Sequence, residues 1–387
     1  MVDLLVGPWG ARRTDPEPTP TAPVDDEDGR FACTNCGAVL GFAPGTEQLT
    51  CSYCGHVNAI RASTATVEEQ DLDAAFATLG DAPPPSEPVS TRCTGCGASF
   101  TFDPPLHAGP CRFCGTAVVA EPGGALAPDG LLPFLIGEAT ARERVDAWLK
   151  KLWFAPNHVA REARGRDALH GLYVPFFTYD SRTETSYRGQ RGDVYHQTVM
   201  VPVVVNGRRT MQRQQVPKVR WRHAAGAVRR HFDDVLVPAS TTLPAPLVQR
   251  LRRFDLHETR SFQDDFLAGF ESERYQRSLA DGFEDARAIM RNTIQGDIRA
   301  DIGGDMQRIA AMDVRHADRS YKLVLLPVWR ADLRFMGRVY RVLVNGRSGE
   351  IVGERPWSIS KIAGAVVGVV AIVAAVMLTA RAFGGGF

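Results

Sequence analysis

Apolar residues fall at two spacings along this chain, and the change from one to the other divides it. Val145, Trp148, Leu149 and Leu152 recur every three or four residues, the period of a helix with one buried face. Thr140-x-x-Glu143 just upstream is a capping-box pattern that marks the helix start. A longer helix is expected from about Leu279 to Ile302. Elsewhere the period shortens to alternation, which predicts half-buried strands over Gly171 to Tyr187, Val199 to Asn206, Arg213 to Trp221 and Tyr321 to Val344. Val339 to Val352 reads as a hairpin in which Asn345-Gly346 and Gly349 take the positive-φ positions. Near the N-terminus, Val39-Leu-Gly-Phe42 and Ser99-Phe-Thr-Phe102 alternate as short strands.

One apolar run has neither period. Ile362 to Ala380 is 19 residues without a charge, bounded by Lys361 and Arg381. As a helix it would reach about 28 Å, close to the ~30 Å hydrocarbon core of a bilayer. A single C-terminal transmembrane helix over 361–381 is therefore expected, with the chain tail-anchored in the cell membrane and its N-terminal bulk in the cytoplasm. Met1 to Arg30 shows no basic segment followed by an apolar one, as a secretory signal would. Arg347, Arg355 and Lys361 before the span, against Arg381 after it, agree with that orientation. Gly364-x3-Gly368 would allow two such helices to approach as a homodimer.

With 387 residues and a net charge of +1, the chain is long enough for several units and has no overall pull toward nucleic acid. Its eight cysteines form two copies of C-x2-C-x14-C-x2-C, offset by 60 residues: Cys33, Cys36, Cys51 and Cys54, then Cys93, Cys96, Cys111 and Cys114. A CxxC turn places two sulfurs on one side of an ion, so two turns complete the tetrahedral shell of zinc. Two structural Zn²⁺ ions are predicted, each with four thiolates and no open position for water. Gly37, Gly55, Gly97 and Gly115 follow the second cysteine of each pair, where a tight turn needs positive φ. Disulfides are disfavoured because nothing marks the chain for an oxidising compartment. His56 and His107 are surplus to the ligand sets and are read as surface residues.

The fold class that follows is two small β zinc ribbons plus an α+β domain with antiparallel sheets, then the membrane helix. The divisions are a disordered lead (1–30), ribbon 1 (31–60), a linker (61–90), ribbon 2 (91–120), a second linker (121–130) and the α+β domain (131–357). Val174-Pro-Phe-Phe-Thr-Tyr-Asp180 echoes Leu326-Pro-Val-Trp-Arg-Ala-Asp332, so the last is expected to comprise two related halves.

No catalytic constellation emerges. There is no phosphate loop with Lys-Ser/Thr, no G-x-S-x-G and no H-E-x-x-H, so a non-enzyme is expected. Asp233-Asp234 and Asp264-Asp265 read as solvated turns. Lys218, Arg220 and Arg222 alternate with Val219 and Trp221, and Arg229 and Arg230 follow, a candidate face for an anionic surface such as lipid headgroups or phosphates. Tyr53 and Phe113, at the same place in the two repeats, are the candidate partner contacts.

The paired CxxC knuckles, Leu131-Leu-Pro-Phe134, Gly171-Leu-Tyr-Val-Pro-Phe-Phe177, Phe266-Leu-Ala-Gly-Phe270 and Val344-Asn-Gly-Arg-Ser-Gly-Glu350 resemble a bacterial group of membrane-anchored double zinc-ribbon proteins, often labelled primosomal-helicase-like. The resemblance implies a membrane-stress setting and recruitment of phage-shock-type or flotillin-like partners; the helicase label finds no Walker lysine here. The expected function is a zinc-ribbon scaffold bringing a cytosolic or membrane-associated protein partner to the bilayer. The alternative is a membrane-tethered nucleic-acid binder related to replication or transcription.

Overall fold

The structure, a computed structural model, describes residues 31–60, 66–79, 82–152, 169–205, 208–251, 253–335, 338–354, 363, 366–375 and 377. The expected lead, 1–30, lies outside them. Ribbon 1 is an antiparallel three-stranded sheet of β1 (Leu40–Phe42), β2 (Gln48–Cys51) and β3 (Val57–Ala59). After it come β4 (Gln70–Asp71) and α1 (Leu72–Leu79). Ribbon 2 pairs β5 (Val89–Arg92) with β6 (Ser99–Phe102), and β7 (Leu106–Pro110) with β8 (Ala117–Val119). The stretch 61–90, read as a linker, thus carries a strand and a helix that pack on the body: Leu72 is fully buried and β4 pairs with Ser320 and Tyr321.

The body is built from β9 (Gly130–Leu131), α2 (Glu138–Lys151), β10 (Leu169–Val205), β11 (Arg208–Pro238), α3 (Ala245–Val248), β12 (Arg260–Ser261), β13 (Glu271–Glu273), α4 (Leu279–Ile302), β14 (Met306–Phe335), β15 (Arg338–Asn345) and β16 (Ile351–Gly353). One large sheet runs β12-β9-β14-β10-β13-β7-β8, with β11 added to β10, β15 to β14 and β16 to β15. The strands expected over 171–187 and 199–206 are one strand, β10. Alternation reports which residues have a covered face; where both faces are open the ladder continues without it.

The two echoing segments lie opposite one another, Val174 facing Leu326 in the antiparallel β10–β14 ladder. Around that pair the strands match in twos. β13 runs parallel to β10 at Leu172 and Tyr173, while β9 runs parallel to β14 at Val324 and Leu325, both 152 positions further on. Each short parallel strand leads into a helix and each long strand into a hairpin, β10–β11 and β14–β15. The order short parallel strand, helix, long strand, hairpin thus occurs twice in the body.

Helix α4 shows why its sequence is helical. Leu279, Phe283, Ala286, Met290, Ile294, Ile298 and Ile302 are all buried on one face. Ser278 Oγ caps its start by accepting from the Asp281 N–H at 3.1 Å, and Gly303 ends it at φ 64°. At α2 the expected capping box is replaced: the helix starts at Glu138 after Gly137 with no side-chain cap, leaving Thr140 inside the first turn. In the terminal hairpin only Gly349 has positive φ, at 70°. Gly346 is needed for space instead, since a Cβ there would stand 2.6 Å from the Phe134 ring.

The membrane expectation is overturned. Among the described residues no helix is long and apolar enough to cross a membrane. Of the expected span, 363, 366–375 and 377 are described and the remainder, with Gly364, lies outside the described residues. The transmembrane helix, the tail anchor, the single-pass placement in the cell membrane and the Gly364/Gly368 helix contact are accordingly withdrawn.

Candidate metal centres

The four CxxC turns are the same local structure built four times. In each, the N–H of the glycine after the second cysteine returns to the first cysteine's carbonyl: Gly37 to Cys33 at 2.8 Å, Gly55 to Cys51 at 3.0 Å, Gly97 to Cys93 and Gly115 to Cys111 at 2.9 Å. A second bond runs from each first cysteine's N–H to the carbonyl five residues on: Ala38, His56, Ala98 and Thr116. All four glycines have φ between 71° and 80°, as the spacing predicts.

Paired turns bring their sulfurs together. Cys33 and Cys54 Sγ lie 3.6 Å apart, as do Cys36 and Cys51; the ribbon 2 equivalents are 3.5 Å for Cys93–Cys114 and 3.9 Å for Cys96–Cys111. Four sulfurs each ~2.3 Å from a central ion stand ~3.8 Å apart in a regular tetrahedron, whereas a disulfide needs ~2 Å. Within each tetrad every sulfur lies within 4.8 Å of the others. Each can hold one structural zinc ion.

The tetrads also have the electrostatics of a cation site. Cys54 is drawn down to about 6, first by the His56 N–H, and Cys114 to about 6 by the Thr116 hydroxyl and N–H. For Cys36 the largest single influence, the Ala38 N–H, favours the thiolate. The neighbouring Cys54, Cys51 and Cys33 and desolvation outweigh it and push Cys36 up to about 12; Cys96 rises likewise to about 11. Some thiols ionise readily while a neighbour resists, because thiolates so close repel; a dication removes that repulsion. One cysteine of each turn is buried and the other exposed.

The knuckle tips are open to solvent. Tyr53 is 84% exposed and Phe113 70%. His107, expected at the surface, is fully buried: its Nδ1 lies 3.1 Å from the Ala120 carbonyl and its Nε2 3.1 Å from Ser272 Oγ. Burial holds it down to about 4. β7 buries His107, Ala108 and Gly109 in succession, so no alternation marks the position, and the partner, 165 residues away, could not be read.

The candidate anionic-surface residues are divided. Lys218, Arg220 and Arg222 do share one face of β11, with Tyr195 on β10 beneath Arg220 at 5.1 Å. Trp221 lies on the other face under Arg308, 4.0 Å away. Arg222 is bonded to Asp193, Arg229 to Glu184 and Arg230 to Asp297 at 2.6–2.8 Å. Asp233 and Asp234, read as solvated turns, face a charged cluster instead. Oxygens of Glu69, Asp180 and Asp233 lie within 4.8 Å of one another, while Lys322 reaches Asp234 at 2.9 Å and Glu69 at 3.4 Å. Burial first, then Glu69, raises Asp180 to about 6. Glu69 comes from the expected linker, so nothing local in the sequence marks this cluster.

No protein-family model matches the chain, and no solved structure matches it. It is similar to an uncharacterized protein of Bacillus subtilis (strain 168), YdjG, at 25% identity over 362 residues, covering 92% of this chain and 99% of the relative.

Proposed function

We propose that this chain is a non-enzymatic interaction scaffold whose two zinc ribbons present Tyr53 and Phe113 to a protein partner. The observation that carries the reading is the contrast in aromatic burial: Phe31, Phe42 and Phe102 of the same ribbons are 5–6% exposed, while the two tips are left open. Aromatic anchors on rigid supports lose little conformational freedom on binding, which makes them effective contact residues. Four thiolates fill each zinc shell, so the metal's role is to hold the tip rather than to act on a substrate. The resemblance to double zinc-ribbon proteins points the same way. A nucleic-acid role for ribbon 2 is weaker, because Arg92 donates to the Gly97 carbonyl and Arg112 pairs with Asp103.

The test places a photo-crosslinking phenylalanine at 53 or 113 in the full chain and identifies what is joined. One protein crosslinked from both positions, then captured by the otherwise native chain in a pull-down and not by Tyr53→Ser/Phe113→Ser while zinc stays at two per chain, supports the reading. Capture that survives both substitutions sinks it.

A further inference from the structure

The β10–β11 hairpin extends well beyond the body. β14 accompanies β10 only to Gly192, opposite Met306, whereas β10 and β11 stay paired from there to Val205 and Arg208. The 13 residues of β10 past that point would span about 44 Å. Among the described residues no third strand joins this ribbon, and a two-stranded ribbon is marginal alone in water. It is nevertheless braced at its root. Asp305 Oδ2 accepts the Val194 N–H at 2.7 Å, Asp193 holds Arg191 and Arg222, and Arg308 covers Trp221.

Charge on this arm is one-sided. Residues 193–222 contain six Lys or Arg against one Asp, a net +5 in a chain whose total is +1, so the remainder carries −4. Among the described residues no carboxylate pairs with Arg213, Lys218 or Arg220. The two faces differ as well. Lys218, Arg220 and Tyr195 occupy one; Met200, Pro202, Met211 and Arg213 the other, with Pro202 directly opposite Met211. Met200 is 52% exposed and Met211 58%.

We propose that this arm lies in a groove of double-stranded DNA, with Arg213, Lys218 and Arg220 on the phosphates and Met200, Pro202 and Met211 against the base steps. A two-stranded ribbon is narrow enough for a groove, and Met and Pro are side chains that wedge between base steps when flanked by cations. A bilayer suits the arm less well. Arg213 and Gln215 lie on the same face as Met200 and Met211, so laying that face in hydrocarbon would bury a charge and an amide beside them. This inference is independent of the knuckle tips and of any protein they bind.

The test is fluorescence anisotropy of the full zinc-loaded chain with a labelled duplex across a salt series. Three phosphate contacts predict an affinity that falls about 40-fold for a fourfold rise in salt. The variant R213Q/K218Q/R220Q, whose positions lie outside the core, should lose most of that dependence and keep two zinc ions. M200S/M211S should keep the salt slope but reduce duplex bending, read by end-to-end energy transfer. Any of four results overturns the proposal: no duplex binding by the wild type at low salt, an unchanged slope in the triple variant, equal displacement of the duplex by polyglutamate, or binding to phosphatidylglycerol vesicles in its place.

Discussion

Ribbon 1 docks on the body without joining its sheet: the Phe42 N–H donates to the Ala268 carbonyl and the Gly45 N–H to the Phe134 carbonyl, both at 2.9 Å, and side chains do the rest. Phe31, Leu40, Phe42, Leu49 and Ile60 join one hydrophobic cluster with Phe266 and Phe270, and Phe42 meets the Phe266 ring edge-on at 5.2 Å. Ribbon 2 joins the sheet itself. Its strand β7 pairs with β13 inside the large sheet, and His107 bridges Ala120 and Ser272 across the join. The cages have the same spacing and knuckle bonds, so metal binding and docking are separable. Ligand spacing fixes the cage, and the residues between the ligand pairs choose how it is held.

The largest expected effect comes from removing the metal. Cys93→Ser with Cys96→Ser should lower zinc from two to one per chain, measured by elemental analysis. Structural zinc in small folds supplies ~10–16 kcal/mol of folding free energy, so ribbon 2 should lose its structure. Hydrogen exchange should then show lost amide protection in β7, β8 and β13. The matching change at Cys33 and Cys36 should leave those strands protected. Equal loss in both variants would break the distinction between a ribbon inside the sheet and one packed on it.

Next in size is Phe42→Ala, which removes the aromatic plug of ribbon 1 and should cost about 3–5 kcal/mol in chemical denaturation. A loss under ~1 kcal/mol would show that the Phe266–Phe270 cluster does not hold ribbon 1.

The His107 contribution depends on pH. Its folded value is about 4 against an ordinary 6.5, so between these the unfolded chain binds more protons. The stability it supplies is complete above pH 6.5 and is lost as pH falls toward 4, on the order of 3 kcal/mol in all. His107→Gln should flatten that part of the stability curve relative to wild type; parallel curves would mean the imidazole is not held neutral.

The smallest effect is expected at the tips. Tyr53→Ser and Phe113→Ser should change stability by less than ~0.5 kcal/mol, because each side chain is largely in solvent. A larger loss would assign these residues to the fold.

Much of this was legible from local pattern. The Cys spacing named both cages and the glycine positions, and the apolar period of Leu279 to Ile302 gave α4 its observed limits. Asn345 was read as a turn residue. Its side chain accepts from the Arg347 and Ser348 N–H groups and donates to the Arg253 carbonyl, a contact with a segment 92 residues earlier. The apolar run from Ile362 was expected to span a bilayer, but among the described residues no helix is long and apolar enough to do so, and hydrophobicity by itself reports only a preference to leave water.

Ligand identity, turn geometry and helix periodicity depend on residues within about one turn of each other, so the amino-acid order alone specifies them. The burial of His107, the division of Lys218 through Arg230 into bound and free cations, the Glu69–Asp180–Asp233 cluster and the bare length of the β10–β11 arm depend on which distant strands become neighbours. Those pairings are set by the closing of the whole sheet, where contacts form between segments 100 or more residues apart, and no local pattern encodes them.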